Sequence, residues 1–146
     1  MSKRHLVYAA SALFSLGISH PAWAEIGRIK SFVGDVQISR DGRTFAARSG
    51  VRLEEGDVVS TGRDARVGIS FLDNTRMALG PSSQVTLDEF SYNRSRQTGS
   101  FVTSVNRGSL GVVSGNIANS QRDAMRVRTP TSMLGVRGTR FIVEVD

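Results

Sequence analysis

Apolar and polar residues alternate with a period of two along most of the chain, and turn residues break the alternation at short intervals. Val36 and Ile38 take one phase while Gln37 and Ser39 take the other. Val67, Ile69 and Phe71 alternate with Arg66, Gly68 and Ser70, and Met77 and Leu79 alternate with Arg76 and Ala78. The pattern resumes at Val85 and Leu87, at Met125, Val127 and Thr129, and at Phe141, Val143 and Val145. Successive side chains of a strand point to opposite faces, so this period predicts strands with one buried and one wet face. Asp41-Gly42, between two such runs, is a hairpin signal because both positions accept positive φ. Asp73-Asn74 reads as another turn suited to left-handed backbone. Phe101–Val105 and Leu110–Val113 read as two short strands, separated by Asn106-Arg107-Gly108. The polar stretch Asn93–Ser100 predicts a loop, and Gly115–Asp123 predicts turns. No window carries a helical stripe. The chain is therefore expected to be all-β, as a sandwich, a barrel or a solenoid. The phrase G-D-V at Gly34–Val36 and again at Gly56–Val58 hints at a rung of roughly 20 residues.

The first residues follow a different rule. Lys3 and Arg4 form a short positive region, Leu6–Ser19 is apolar and small, and Ala22-Trp23-Ala24 ends it in an Ala-x-Ala pattern. That is the plan of a secretory signal peptide over residues 1–24, cleaved after Ala24. The apolar run falls short of the roughly 20 residues that span a bilayer, so residues 25–146 are expected to be one exported domain that does not cross the membrane. Localisation is expected to be periplasmic.

Cleavage alters the chemistry available. Both histidines, His5 and His20, leave with the signal, as does Trp23, and the chain has no cysteine. Losing Lys3 and Arg4 lowers the net charge from +6 to +4, and Lys30 is then the one remaining lysine. Without His or Cys there is no Ser-His-Asp triad, no thiolate nucleophile and no Cys- or His-based metal site. Carboxylates remain close together at Glu54, Glu55 and Asp57 and at Asp88 and Glu89. A glycosidase needs two facing each other across a cleft, whereas neighbours at a strand–turn junction are ordinary turn residues. The expectation is a protein that is not an enzyme and has no catalytic, cofactor-binding or metal residues.

Longer motifs carry a resemblance. The order is G-D-V-Q (34–37), R-L-E-E-G-D-V-V-S-T-G (52–62), A-R-V-G-I-S-F-L-D-N-T (65–75) and M-A-L-G-P-S-S-Q-V-T-L (77–87). Then come R-G-S-L (107–110), V-R-T-P (127–130) and G-V-R-G-T-R-F-I-V (135–143). Across nearly all of residues 26–145 this resembles the FecR-type domain, the periplasmic part of ferric-citrate transmembrane signal regulators. The resemblance implies a twisted β-solenoid-like stack of short strands, with a β-sandwich as the alternative. It also implies a periplasmic sensing, binding or scaffolding role like that of freestanding secreted members. The cytoplasmic anti-sigma segment and transmembrane helix of full-length regulators have no counterpart in these residues, so anti-sigma activity is not carried over.

Several groups of residues are candidates for contact, the Asn93–Gly99 loop among them. Arg66, Arg76, Arg126 and Arg128 fall on the polar phase of their strands and would share one wet face if the strands stack in register. Such a face suits bidentate capture of phosphate or carboxylate, as on an anionic glycan or lipid; its plainer role is a solvated surface. Nucleic acid is not an expected partner, because no aromatic residues are interleaved with the arginines for base stacking. Near the C-terminus, Arg137 and Arg140 lie beside Gly135, Gly138 and Thr139, which read as a tight corner or, alternatively, an anion cradle. The last strand, with Phe141, Val143 and Val145, offers an edge to an envelope protein or to a second copy. Proline at Val143 is expected to abolish such strand addition.

Overall fold

The structure is a computed structural model that describes residues 24–138 and 140–146. The predicted signal segment before Ala24 lies outside the described residues, as does Thr139. The elements are β1 (Glu25–Val33), β2 (Val36–Arg40), β3 (Arg43–Ala46), β4 (Arg52–Glu54), β5 (Val58–Thr61), β6 (Arg66–Phe71) and β7 (Arg76–Leu79). They continue as β8 (Gln84–Asn93), β9 (Thr98–Val113), α1 (Asn116–Ser120), β10 (Met125–Arg128), β11 (Met133–Val136) and β12 (Arg140–Val145). The all-β expectation holds. The strands form one curled, largely antiparallel half-barrel sheet in the order β3-β2-β5-β8-β9-β7-β6-β1-β4, with β10 and β12 also on β9 and β11 on β10. One pair, β9 with β10, is parallel. A parallel neighbour needs a crossover, and α1 lies in it.

Strand β9 organises the sheet. Its first part pairs β8 on one edge and β10 on the other; its last part pairs β7 and β12. Between the two it bends at Gly108, where φ is +82°. A side chain there would collide with Ser83, so both conformation and space require glycine. Three other segments bend beside it: β1 into β2, β5 into β6, and β7 into β8. Hydrogen bonds stitch the corners into a seam. Gly62 N–H donates to Asp35 at 2.8 Å, Ser82 N–H to Gly62 at 2.9 Å and Thr61 N–H to Ser83 at 2.9 Å. Ser109 N–H reaches Ser83 Oγ at 2.9 Å. Bending whole strands along one line folds the sheet around its apolar side.

The inward phases of both halves meet in one cluster, as the alternation predicts. At its centre the Phe101 ring meets Phe71 at 4.7 Å and Phe90 at 4.9 Å, both edge-on.

Several readings change. The two strands expected around Asn106-Arg107-Gly108 are one bent strand. The polar stretch 93–100 is the tight end of the β8–β9 hairpin, pairing Asn93 with Thr98. Residues 116–120, expected as turn, form a single short helix turn. The two G-D-V copies lead into β2 and β5, which are antiparallel neighbours with Val36 opposite Thr61, not successive parallel rungs.

Candidate contact surface

Of the carboxylates weighed as catalytic pairs, Glu54, Glu55, Asp57 and Asp88 are engaged by the fold, and Glu89 is exposed. Asp57 is fully buried. Arg40 grips it with a two-pronged fork, Nε to Oδ1 and NH2 to Oδ2, both at 2.8 Å. Glu54 N–H donates to the same carboxylate at 2.8 Å, closing the Gly56-Asp57 turn. The hydrogen bond that Arg40 donates to Asp57 raises the guanidinium pKa above its ordinary value. Glu55 accepts from Phe90 N–H at 3.0 Å, and Asp88 accepts from Ser104 Oγ at 2.6 Å. Arg40 escaped notice in the sequence, although it carried a signal. It sits on the buried phase of Val36 and Ile38, where a charge needs a partner.

The outer face of the β4–β1–β6–β7–β9–β12 half carries a different arrangement. Ser31, Gly68, Ala78, Gly111 and Ile142 lie opposite one another across five strands. The next row holds Ser70, Arg76, Val113 and Arg140. Small residues in the first row leave a trough of about 740 Å³, floored by Ala78 and Gly111 and bordered by Arg76, Arg140 and Ile142. A smaller depression of about 350 Å³ continues past Ala78 to Gly68, Phe32 and Arg66. The backbone does not demand glycine at the floor. A methyl on Gly111 would meet the Ala78 carbonyl at 3.9 Å, an ordinary contact.

Charge collects beside this trough without being neutralised. Among the described residues, the ion pairs are Arg28 and Arg52 with Glu25, and Arg40 with Glu54 and Asp57. Arg66, Arg76 and Arg140 are exposed and outside all of them. Arg126 and Arg128 stand elsewhere, on β10 in the other half, opposite Val102 and Ser104. The four arginines expected on one face therefore divide into two pairs, because β10 joins the first part of β9 and β7 the last. Arg126 is half-buried, with its Nε enclosed and without a hydrogen-bond partner. Arg137 is exposed between β11 and β12. Gly135 lies within β11, opposite Arg126, with Asp123 packed where its side chain would be. Gly138 has φ +46°, consistent with a corner.

The last strand is turned the other way from the residues singled out in it. Val143 is buried, and Phe141 and Val145 are half-buried against the core. Solvent meets Arg140, Ile142 and Glu144, with Ile142 73% exposed. The backbone follows suit. Gly80 N–H donates to the Ser109 carbonyl at 3.1 Å, so Ser109, Gly111 and Val113 direct their backbone groups toward β7. Leu110 and Val112 then face β12, where they lie opposite Val143 and Phe141. Proline at Val143 would thus break the β9–β12 ladder itself. The free N–H groups of the edge belong to Arg140, Ile142 and Glu144.

The described residues thus form an all-β scaffold with an open edge strand and an arginine-bordered apolar trough. Residues 57–146 match the family described as FecR protein. The chain belongs to the FecR family, whose members are regulatory signalling domains that are periplasmic in the regulators. No curated protein and no solved structure matches the chain significantly. Among the described residues no helix is long and apolar enough to cross a membrane.

Proposed function

We propose that this chain is a periplasmic, non-enzymatic signalling module that acts by protein–protein contact through the trough over Ala78 and Gly111. One observation carries the reading: the fold does not need glycine at position 111, yet its missing side chain keeps an apolar trough open between unpaired arginines. Apolar floor with a cationic border suits a partner segment that combines apolar and acidic side chains. A photo-crosslinking residue at Ala78, in cells, should yield one recurring envelope protein. Gly111→Leu in the same chain should cut that adduct about tenfold. It should shift Tm by no more than about 2 °C, since a surface substitution seldom exceeds about 0.5 kcal/mol. No protein adduct at Ala78, or an adduct indifferent to Gly111→Leu, would sink the reading.

The module is exported on its first 24 residues and cleaved after Ala24. Intact mass of the protein recovered from the periplasm should fit a chain beginning at Glu25. Retention of the leader, or recovery from the cytoplasm alone, contradicts this.

A second reading has its own support. Arg66, Arg76, Arg128, Arg137 and Arg140 are exposed, and none belongs to an ion pair among the described residues. These side chains suit an anionic glycan or lipid phosphate. Affinity for such a polyanion should fall steeply with salt, because counterions screen exposed charges beyond roughly 10 Å at 0.1 M. Contact through the apolar trough should tolerate salt better.

A further inference from the structure

We infer that β12 pairs with β12 of a second copy of this chain, antiparallel about a two-fold axis through Ile142. This gives the face proposed above a second contact, and it needs no foreign partner. Three observations carry it. First, β12 has β9 on one side and no strand on the other among the described residues. Second, the backbone groups of Arg140, Ile142 and Glu144 point to that open side, for the reason given by the Gly80–Ser109 hydrogen bond. Third, the same three side chains form the sequence R-x-I-x-E on the exposed phase.

That sequence is complementary to itself in one register. With Ile142 opposite Ile142 of the second copy, Arg140 faces the second copy's Glu144, and the reverse pair repeats it. An isologous contact places every pair twice, so a single strand supplies both halves of two ion pairs. All three facing positions are hydrogen-bonding positions, so backbone and charge select the same register. Ile142, otherwise 73% exposed, becomes covered. Phe141 and Val143 of the two copies then meet on the inner face, extending the apolar layer. The paired edge is no longer a template for uncontrolled aggregation.

Charge reversal tests the register. The exported protein should sediment as a dimer in the micromolar range. Arg140→Glu puts two acids opposite each other twice, and Glu144→Arg does the same with two bases; each variant alone should self-associate at least about tenfold more weakly. An equimolar mixture of the two should regain the dimer, since the doubly acidic edge of one variant then lies against the doubly basic edge of the other. Ile142→Pro removes an N–H that faces away from β9, and should give a folded monomer by circular dichroism. A monomeric wild-type protein overturns the proposal. So does a dimer that both charge reversals leave intact, or a mixture that fails to recover. If the wild type is monomeric and Ile142→Pro instead removes the adduct formed at Ala78, the edge serves a foreign strand and self-pairing is wrong. The sedimentation results stand whether or not the Ala78 adduct is found.

Discussion

Arg40→Ala is expected to lower the folding free energy by about 3–5 kcal/mol, more than Asp57→Ala. Removing one member of a buried charge pair leaves the other uncompensated, which costs roughly that much. The two members are not equivalent. Asp57 is fully buried, whereas the Arg40 side chain keeps 27% of its surface in water. Left alone, the guanidinium swings outward and is hydrated. A lone Asp57 carboxylate keeps only the Glu54 N–H and has no route to solvent. Arg40 does more than neutralise. Its NH2 group donates to the Arg52 carbonyl at 2.9 Å, joining β2 to β4, and its guanidinium lies 5.4 Å from the centre of the Phe45 ring. Asp57→Ala should cost about 2–3 kcal/mol, chiefly by leaving the Glu54 N–H and the turn unsatisfied. Replacing both, as Arg40→Met with Asp57→Leu, should recover part of the loss, because a well-packed apolar pair of similar volume removes the buried charge. Urea unfolding followed by circular dichroism ranks the variants. Asp57→Ala proving costlier than Arg40→Ala would mean that the fork does not exist to shelter the carboxylate.

This pair also shows what alternation can and cannot convey. Period two fixes which residues of a strand face inward, so the core was legible: Val36, Ile38, Val67, Ile69, Phe71, Met77 and Leu79 are all buried as their phase predicts. It fixes nothing about which strand lies beside which. Arg66 and Arg126 share a phase yet occupy different halves, because pairing is decided by bends in β9 that a two-residue period does not encode. Gly108 looked like the gap between two strands, since a glycine at positive φ serves equally as a turn or as a corner inside a continuous strand. The polar stretch 93–100 joined a hairpin because β8 and β9 pair through their backbones, and an exposed ladder places no apolar demand on its side chains. The trough was illegible for a related reason. It consists of missing side chains at Gly68, Ala78 and Gly111, which come together only through register. On β12 the alternation puts Phe141, Val143 and Val145 on the inward phase, which leaves Arg140, Ile142 and Glu144 to meet solvent.

Asp73→Asn should destabilise the fold by about 2–4 kcal/mol, although it exchanges one atom and preserves the turn. Asp73 and Thr75 are fully buried, on the inward phase continuing from Phe71 to Met77. Oδ1 of Asp73 accepts Thr75 N–H at 3.1 Å; Oδ2 accepts the Thr75 hydroxyl at 2.7 Å and Ile117 N–H at 3.2 Å. The backbone takes part as well, with Asn116 N–H donating to the Asp73 carbonyl at 2.8 Å and Gly115 N–H to Thr75 Oγ1 at 3.1 Å. Helix α1 has no side-chain cap of its own, because its N-cap is Gly115. The β6–β7 turn therefore caps a helix more than forty residues away, as the Asp73–Ile117 spacing of 44 shows. An asparagine offers one oxygen where three donors converge, and its NH2 group would face a buried N–H or hydroxyl. Each donor stranded in the interior costs about 1–3 kcal/mol. The Tm should fall by roughly 10 °C on that scale, with hydrogen exchange accelerating first at Ile117 and Ala118. Asn74→Gly is the control. It alters only the residue at φ +69°, where glycine is at least as comfortable, and should cost less than about 0.5 kcal/mol. Equal losses from both changes would mean that the turn's conformation, not its carboxylate, secures α1. The consequence reaches the outer face, since the Asp73 turn sets where β7 begins and α1 follows directly on Val113. Arg76 and Val113 lie opposite each other at those two points, on the border of the trough. Loosening the clamp should therefore weaken crosslinking at Ala78 along with stability, whereas Arg40→Ala, which touches neither β7, β9 nor β12, should lower stability and leave contact by the folded fraction unchanged.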